Sequence, residues 1–283
     1  MANKIPVVAA IPNYNMAGGL ERLLPQVLAQ SYDHVYVLDN ASTDNSRQIA
    51  MNFGSRVTCV AGEQNICSAG NRNRIMDQLK TNTLIHFLDA DVELISANNP
   101  EKIRKIMSQP NVGFAGALVK NSDGKQILWN YGPRQCLHTY ISARIHNYME
   151  SRPGRNPNFQ NLIRRTFNSW LADWPNPGKT PNSQKTYWVN ECNLIIESSK
   201  FQQLGGFDEQ VHSHDIQDLA IRSQKAGYVT LFEPTISVVN HNNKNVRSGN
   251  RKKARRRAES YIARKNGLGQ WLMPDGHFKP RHN

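Results

Sequence analysis

HFLDADVEL, residues 86–94, sets His86, Phe87 and Leu88 directly ahead of Asp89, Asp91 and Glu93. An apolar run that stops in acids reads as a buried strand delivering carboxylates to the edge of a sheet. Asp-x-Asp at such an edge is suited to a hard divalent cation, because magnesium and manganese favour sparse oxygen ligation completed by phosphates. A surface turn with two acids is the plain alternative for this tripeptide taken alone, so its surroundings decide. Glu93 lies past the pair and reads as a turn or surface acid.

Working outward, the first ninety residues alternate strand-like and helix-like stretches. Residues 5–11 form a continuous apolar run. Residues 19–30 place Leu20, Leu23, Leu24, Val27 and Leu28 at helical spacing, with Pro25 tolerable only near the first turns. A strand over 34–38 precedes a helix that Ser42 or Thr43 would cap and that runs to 53. A strand over 56–60, a helix over 69–79 and a strand over 83–88 follow. Such alternation predicts a parallel sheet covered on both faces, with ligands at the carboxyl ends of the strands. There the chain sets Pro12-Asn13-Tyr14-Asn15, then Asp39-Asn40-Ala41-Ser42-Thr43-Asp44, then Asp89-Ala90-Asp91, all on one edge.

Asn99-Pro100 opens a further helix, and strands are expected over 112–119, 126–129, 188–197 and 228–239, with a short helix over 219–225. Residues 150–186 are rich in Asn, Pro, Arg and Trp. Within them Phe159, Leu162, Ile163, Phe167, Trp170 and Leu171 share one helical face. That face packs on the body or serves as a lid or membrane-facing helix beside an acceptor site.

With 283 residues, 39% hydrophobic and 20% charged, the chain is long enough for one large domain or two smaller ones. No apolar run approaches the ~18 residues of a membrane span, and the N-terminus lacks a secretory apolar region, so a cytoplasmic location is expected. Cys59, Cys67, Cys136 and Cys192 show no CxxC pairing and read as reduced thiols, which argues against structural zinc. From residue 242 onward twelve Lys or Arg face two acids, so this tail carries +10 of the net +13. The excess charge belongs to an appendage centred on RKKARRR (251–257), and the body need not bind nucleic acid.

The segments VVAAIPNYN (7–15), SYDHVYVLDNASTDNS (31–46), NICSAGNRNRIM (65–76), HFLDADVEL (86–94), LGGFDEQV (204–211), DIQDLAIRSQKAGY (215–228) and VVNHNNK (238–244) fall in an order and spacing that resembles glycosyltransferase family 2. The resemblance implies a GT-A fold: a Rossmann-like, mixed but mostly parallel α/β sheet flanked by helices. A domain over 1–248 would comprise a nucleotide-binding half (1–95) and an acceptor half (96–248) with a helical insertion (150–186), followed by a basic tail (249–283).

The resemblance also implies roles. Pro12, Asn13 and Tyr14 would lie beside the nucleotide base, with Asp39 accepting from base or ribose and Asn40 in the same loop. Arg72 would meet the diphosphate, Asp89 the ribose or metal, and Glu191 the donor sugar or acceptor. Asp91 and His241 would bind a divalent cation, Mn2+ or Mg2+. Asp215 would be the catalytic base, with Asp218 as the alternative, because the family's adjacent pair of acids is reduced here to Asp215 followed by Ile216. Lys244 and Arg247 would close over the diphosphate.

The implied activity is inverting transfer of a sugar from a UDP- or dTDP-sugar to a hydroxyl of a glycan or a lipid-linked cell-envelope acceptor. Residues 249–265 would touch the anionic inner face of the plasma membrane. A sugar nucleotidyltransferase would need a Gly-rich basic loop after the first strand, and a dinucleotide dehydrogenase GxGxxG; IPNYNMAGG stands there instead. A non-catalytic carbohydrate-binding relative is the remaining rival, supported by Ile216.

Overall fold

The structure is a computed structural model describing residues 4–134, 166, 173–211, 214–240 and 251–267. The first apolar run is β1 (Val7–Asn13). Its side chains divide between two cores. Val7, Ala9 and Ile11 pack with Leu20, Leu23 and Leu24 of α1 (Ala17–Leu28), while Val8 and Ala10 pack with Ile75, Phe201, Phe207 and Leu219 on the other face. A strand apolar on both sides is what a sheet sandwiched between helices requires.

β2 (His34–Asp39), α2 (Ser46–Met51), β3 (Val57–Ala61), α3 (Ser68–Asn73) and β4 (Leu84–Leu88) complete the first half. β5 (Val92–Leu94), α4 (Asn99–Met107), β6 (Val112–Lys120), β7 (Tyr131–Gly132), β8 (Gln184–Thr186), β9 (Trp188–Val189) and β10 (Asn193–Glu197) follow. Then come α5 (Ser198–Gln203), α6 (Asp215–Lys225), β11 (Val229–Asn240) and α7 (Arg251–Asn266). The main sheet runs β3-β2-β1-β4-β10-β6-β11-β5, with β8 beside β11. β1 to β4, β6 and β11 share one direction; β5, β8 and β10 oppose it. The sheet is mixed and mostly parallel.

Local departures have physical causes. Pro25 lies well inside α1 rather than in its first turns, on the exposed side, where water can replace the missing N–H donor. The second helix begins at Ser46, because Ser42 is spent on the loop ahead of it and Asp44 Oδ1 accepts from Ser46 N at 3.0 Å. Residues 126–129 form no strand beyond a single bridge of Gln126 to Lys120. Instead Asn130 satisfies both Val119 N (2.8 Å) and Val119 O (2.9 Å) with its side chain. The expected strand over 188–197 is broken between β9 and β10 at residues 190–192, so Glu191 sits in a turn at the sheet edge.

The expected helical face at 159–171 lies outside the described residues. Part of the basic tail is a packed element: Ala258 and Ile262, one turn apart on α7, are buried against Val211 and Ile221. Among the described residues no helix is long and apolar enough to cross a membrane.

Candidate active site

β1 and β2 end in register, pairing Asn13 with Asp39. Asn13 Nδ2 donates to Asp39 Oδ1 (3.0 Å) and to Ser42 Oγ (3.1 Å), while Ser42 N (3.1 Å) and Arg47 Nε (2.7 Å) donate to Asp39 Oδ2. Burial opposes ionisation of Asp39, but the bonds from Ser42, Arg47 and Asn13 win and hold its carboxyl below the usual range. Asn40 is structural in its contacts. Its amide donates to Asn65 Oδ1 and Ile66 O and accepts from Ile66 N, tying the second loop to the third. Pro12 is partly covered and Tyr14 is 42% exposed, an aromatic face open at this edge. Asp44 Oδ2 accepts from Ala17 N (3.0 Å), placing a carboxylate at the start of α1, where the helix dipole favours it.

The strand HFL ends in a tight turn over which α1 passes. Gly19 of α1 lies so close that a Cβ there would collide with the Ala90 carbonyl oxygen. Asp89 N donates to Cys192 O (3.1 Å), linking this turn to the one that holds Glu191. Arg72 is the centre of the arrangement. It is 4% exposed and its NH2 donates to Asp89 Oδ1 at 2.7 Å; NH1 donates to Ser68 Oγ and lies 3.9 Å from Asp215 Oδ2. Its guanidinium sits 6.0 Å from the Phe207 ring centre. Arg72 therefore lies among the acids, bonded to Asp89.

Burial pushes the Glu191 carboxyl up to about 7, helped by the neighbouring Asp215 charge and opposed by Arg72. Burial likewise raises Asp215, against the pull of Arg72. Asp215 is the first residue of α6, and Ile216 N donates to its Oδ1 (3.1 Å). Asp218 points elsewhere: fully buried, it pairs with Arg222 Nε (2.8 Å) and Lys265 Nζ (2.9 Å). The structure thus gathers Asp89, Glu191 and Asp215 around Arg72 and leaves Asp218 in a separate ionic cluster.

Asp91 Oδ1 accepts from Asn240 Nδ2 (3.2 Å), so β11 ends beside it. His241, Lys244 and Arg247 lie outside the described residues. Among the described residues no three His, Cys, Asp or Glu side chains converge as a metal-holding group. A carboxylate at a sheet edge, with few protein ligands around it, suits a hard divalent ion whose shell is completed by phosphate oxygens. Glu93 is a surface acid on β5, paired with Arg22 at 3.2 Å. Cys59, Cys67 and Cys192 carry no disulfide.

Sequence reasoning missed Arg47, Ser68 and Asn240. Arg47 carries a signal, sitting eight residues after Asp39 on the helix its loop leads into, and Asn240 immediately precedes His241. Asn73, next to Arg72, holds the loop ahead of α6: its side chain accepts from Phe207 N (2.8 Å) and donates to Phe207 O (2.9 Å). Gly206 is required there, with φ of +68° and with Asn73 Oδ1 where a Cβ would stand.

A mixed sheet with acids gathered beyond the carboxyl ends of β2 and β4 is the architecture of a GT-A glycosyltransferase. The family model for glycosyl transferase family 2 matches residues 8–171, more than half of the chain, and the chain belongs to that family. An N-acetylglucosaminyl-diphospho-decaprenol L-rhamnosyltransferase of Mycobacterium tuberculosis is 24% identical over 255 residues, covering 85% of this chain and 77% of its own. GalNAc-T7, solved with UDP, GalNAc and Mn2+, superposes with a TM-score of 0.59 at 13% identity over 85% of this chain, which spans 44% of that protein's length. Mannosyltransferase PcManGT from Pyrobaculum calidifontis, with GDP-Man and Mn2+, gives 0.54 at 17% identity over 92% of this chain and 70% of its own. S. aureus TarS 1-349 gives 0.56 at 13% identity over 92% and 65%. At these identities the likeness of the solved structures is one of fold.

Proposed function

We propose that this glycosyltransferase moves a sugar, with inversion, from a UDP- or dTDP-sugar to a hydroxyl of a glycan or lipid-linked acceptor, assisted by Mn2+ or Mg2+. The observation that carries the proposal is the trio Asp89, Glu191 and Asp215 around buried Arg72, next to Asp91 at the same edge. The rhamnosyltransferase name of the mycobacterial relative and the Mn2+ complexes among the fold neighbours support the acceptor class and the metal.

The base would rest against Pro12, Asn13 and Tyr14, with Asp39 presented as a fixed, ionised acceptor. Asp91 and His241 would hold the divalent ion, which supplies positive charge to the leaving diphosphate. Arg72 adds to that field from beneath and keeps Asp89 oriented. Asp215 takes the proton of the attacking hydroxyl, and Glu191 binds the sugar or the acceptor beside it. Ile216 is buried in the core and Asp218 is paired with Arg222 and Lys265, so Asp215 is the acid of this helix start that faces Arg72. With burial and the neighbouring Asp215 charge holding the Glu191 carboxyl at about 7, turnover should rise across an acid limb close to pH 7 as these neighbouring carboxyls complete their ionisation.

The test is release of nucleotide from a panel of UDP-, dTDP- and GDP-sugars with Mn2+ or Mg2+. Wild type should turn over at least one donor. Asp91→Ala should lose about 100-fold or more, and Asp215→Asn about 100- to 10,000-fold, the range of general base catalysis. Turnover of no donor, or turnover indifferent to Asp91→Ala, overturns the proposal. Activity that survives Asp215→Asn moves the base elsewhere, with Glu191→Gln as the next variant.

A further inference from the structure

The segment from Phe207 to Asp215 carries two parts of the site. Its first residue lies under the Arg72 guanidinium and its last is the proposed base. On one side α3 holds it: Asn73 bonds Phe207 and Glu209, and Cys67 Sγ donates to Glu209 O at 3.4 Å. On the other side stands α7. Lys265 Nζ pairs with Asp208 Oδ2 (2.5 Å), and Tyr261 Oη donates to the same oxygen (3.0 Å). Ile262 and Ala258 bury Val211, and Glu259 lies 3.9 Å from His214, the left-handed residue just before α6. Lys265 also reaches Asp218 inside α6 (2.9 Å), and Lys225 at the far end of α6 donates to Asn266 (3.0 Å).

We propose that α7 is the clamp that positions the base-bearing segment for transfer, with Lys265 and Tyr261 as its positioning residues. The inference rests on the glycosyltransferase reading above. One ammonium bridges Asp208, at the start of the segment, and Asp218, on the first turn of α6, so both ends of the stretch that delivers Asp215 are tied to one point. Asp208 responds to that charge: burial opposes its ionisation, but the bonds from Lys265, Gln210 and Tyr261 hold its carboxyl below the usual range. Part of the basic tail is therefore an internal component of the catalytic half. Among the described residues Asn13, Asp39 and Arg47, on the base and ribose side, make none of these contacts, and Arg72 meets the segment only through the Phe207 ring and Asp215, away from α7. Loosening the clamp should thus slow the chemical step and leave nucleotide binding as it was.

The experiment compares Lys265→Met, Lys265→Arg, Tyr261→Phe and the charge control Arg264→Ala, whose exposed side chain bonds Ser260 O of its own helix. Each is assayed for donor turnover, for UDP and dTDP affinity by calorimetry, and for thermal midpoint. Lys265→Met should lower kcat about tenfold, in line with the steep cost of small misplacements in a reacting geometry. UDP and dTDP affinity should stay within twofold, and the protein should remain folded well above the assay temperature. Tyr261→Phe should fall between, Lys265→Arg should recover much of the rate, and Arg264→Ala should match wild type. Unchanged kcat in Lys265→Met, or a loss of kcat matched by equal losses in Arg264→Ala or in nucleotide affinity, overturns the clamp. Asp215→Asn run in parallel separates the two claims. If it retains turnover while Lys265→Met loses it, the base is misassigned and the clamp stands.

Discussion

Arg72 is a cation serving three acids, and it cannot satisfy all of them equally. Its short pairing is with Asp89 at 2.7 Å; Asp215 is 3.9 Å away, and Glu191 feels it without a direct bond among those described. Burial, with the Asp215 charge beside it, is therefore least offset at Glu191, and its carboxyl rises to about 7 from an ordinary 4.5. Between those values the folded chain keeps a proton that the unfolded chain has released. The Glu191 contribution to stability is therefore fullest below pH 4.5, falls as pH rises to about 7, and is level above. Glu191→Gln removes this penalty. In chelator and without nucleotide, its thermal midpoint should match wild type near pH 4.5 and exceed it at pH 8; a difference that stays constant across that range would refute the account.

At the scale of elements, α6 shows how one short helix can face two ways. Asp215 on its first turn faces Arg72, while Asp218, three residues on, is itself buried and pairs with Arg222 and Lys265, whose side chains reach it from the solvent side. Asp218 is fully buried, so Asp218→Asn, which exchanges its charge-assisted bonds to Arg222 and Lys265 for neutral ones, should lower stability by about 2 kcal/mol. Urea unfolding measures it, and a loss below about 1 kcal/mol would mean the cluster is solvated, as surface pairs are.

The two acids are indistinguishable in DIQD as letters, because the difference is made by partners far along the chain, at Arg72 and Lys265. Runs such as VVAAI and LIHFL announce strands through composition, and Asp89 and Asp91 directly follow the second. The antiparallel entry of β10 between β4 and β6 leaves no local trace, since it pairs residues some hundred positions apart. Residues 126–129 looked like a strand because they are apolar, yet side-chain bonds from Asn130 replaced the ladder. The burial of Arg72 was equally hidden, since RNR on a short helix resembles a solvated face until Phe207 and three acids close around it.

For the molecule as a whole, the net charge of +13 divides into a nearly neutral body and a basic C-terminus, and the structure divides that C-terminus again. The second half of α7 is spent inward, with Lys265 in ion pairs and Ile262 in the core, whereas the run RKKARRR (251–257) occupies the helix's first turns. Deleting the helix would therefore confuse membrane binding with loss of the clamp, and charge substitution is the cleaner probe. Each basic residue near an anionic bilayer contributes about 1 kcal/mol, so replacing Arg255, Arg256 and Arg257 with Gln should weaken binding to phosphatidylglycerol vesicles by about 3 kcal/mol, or roughly 100-fold. Binding should also fall as salt is raised, because the Debye length contracts from about 10 Å at 0.1 M to about 3 Å at 1 M. Donor turnover in vesicle-free solution should be unaffected by the same triple substitution. Co-sedimentation that is equal for the two proteins, or that persists at high salt, would assign the basic run a role other than lipid attraction.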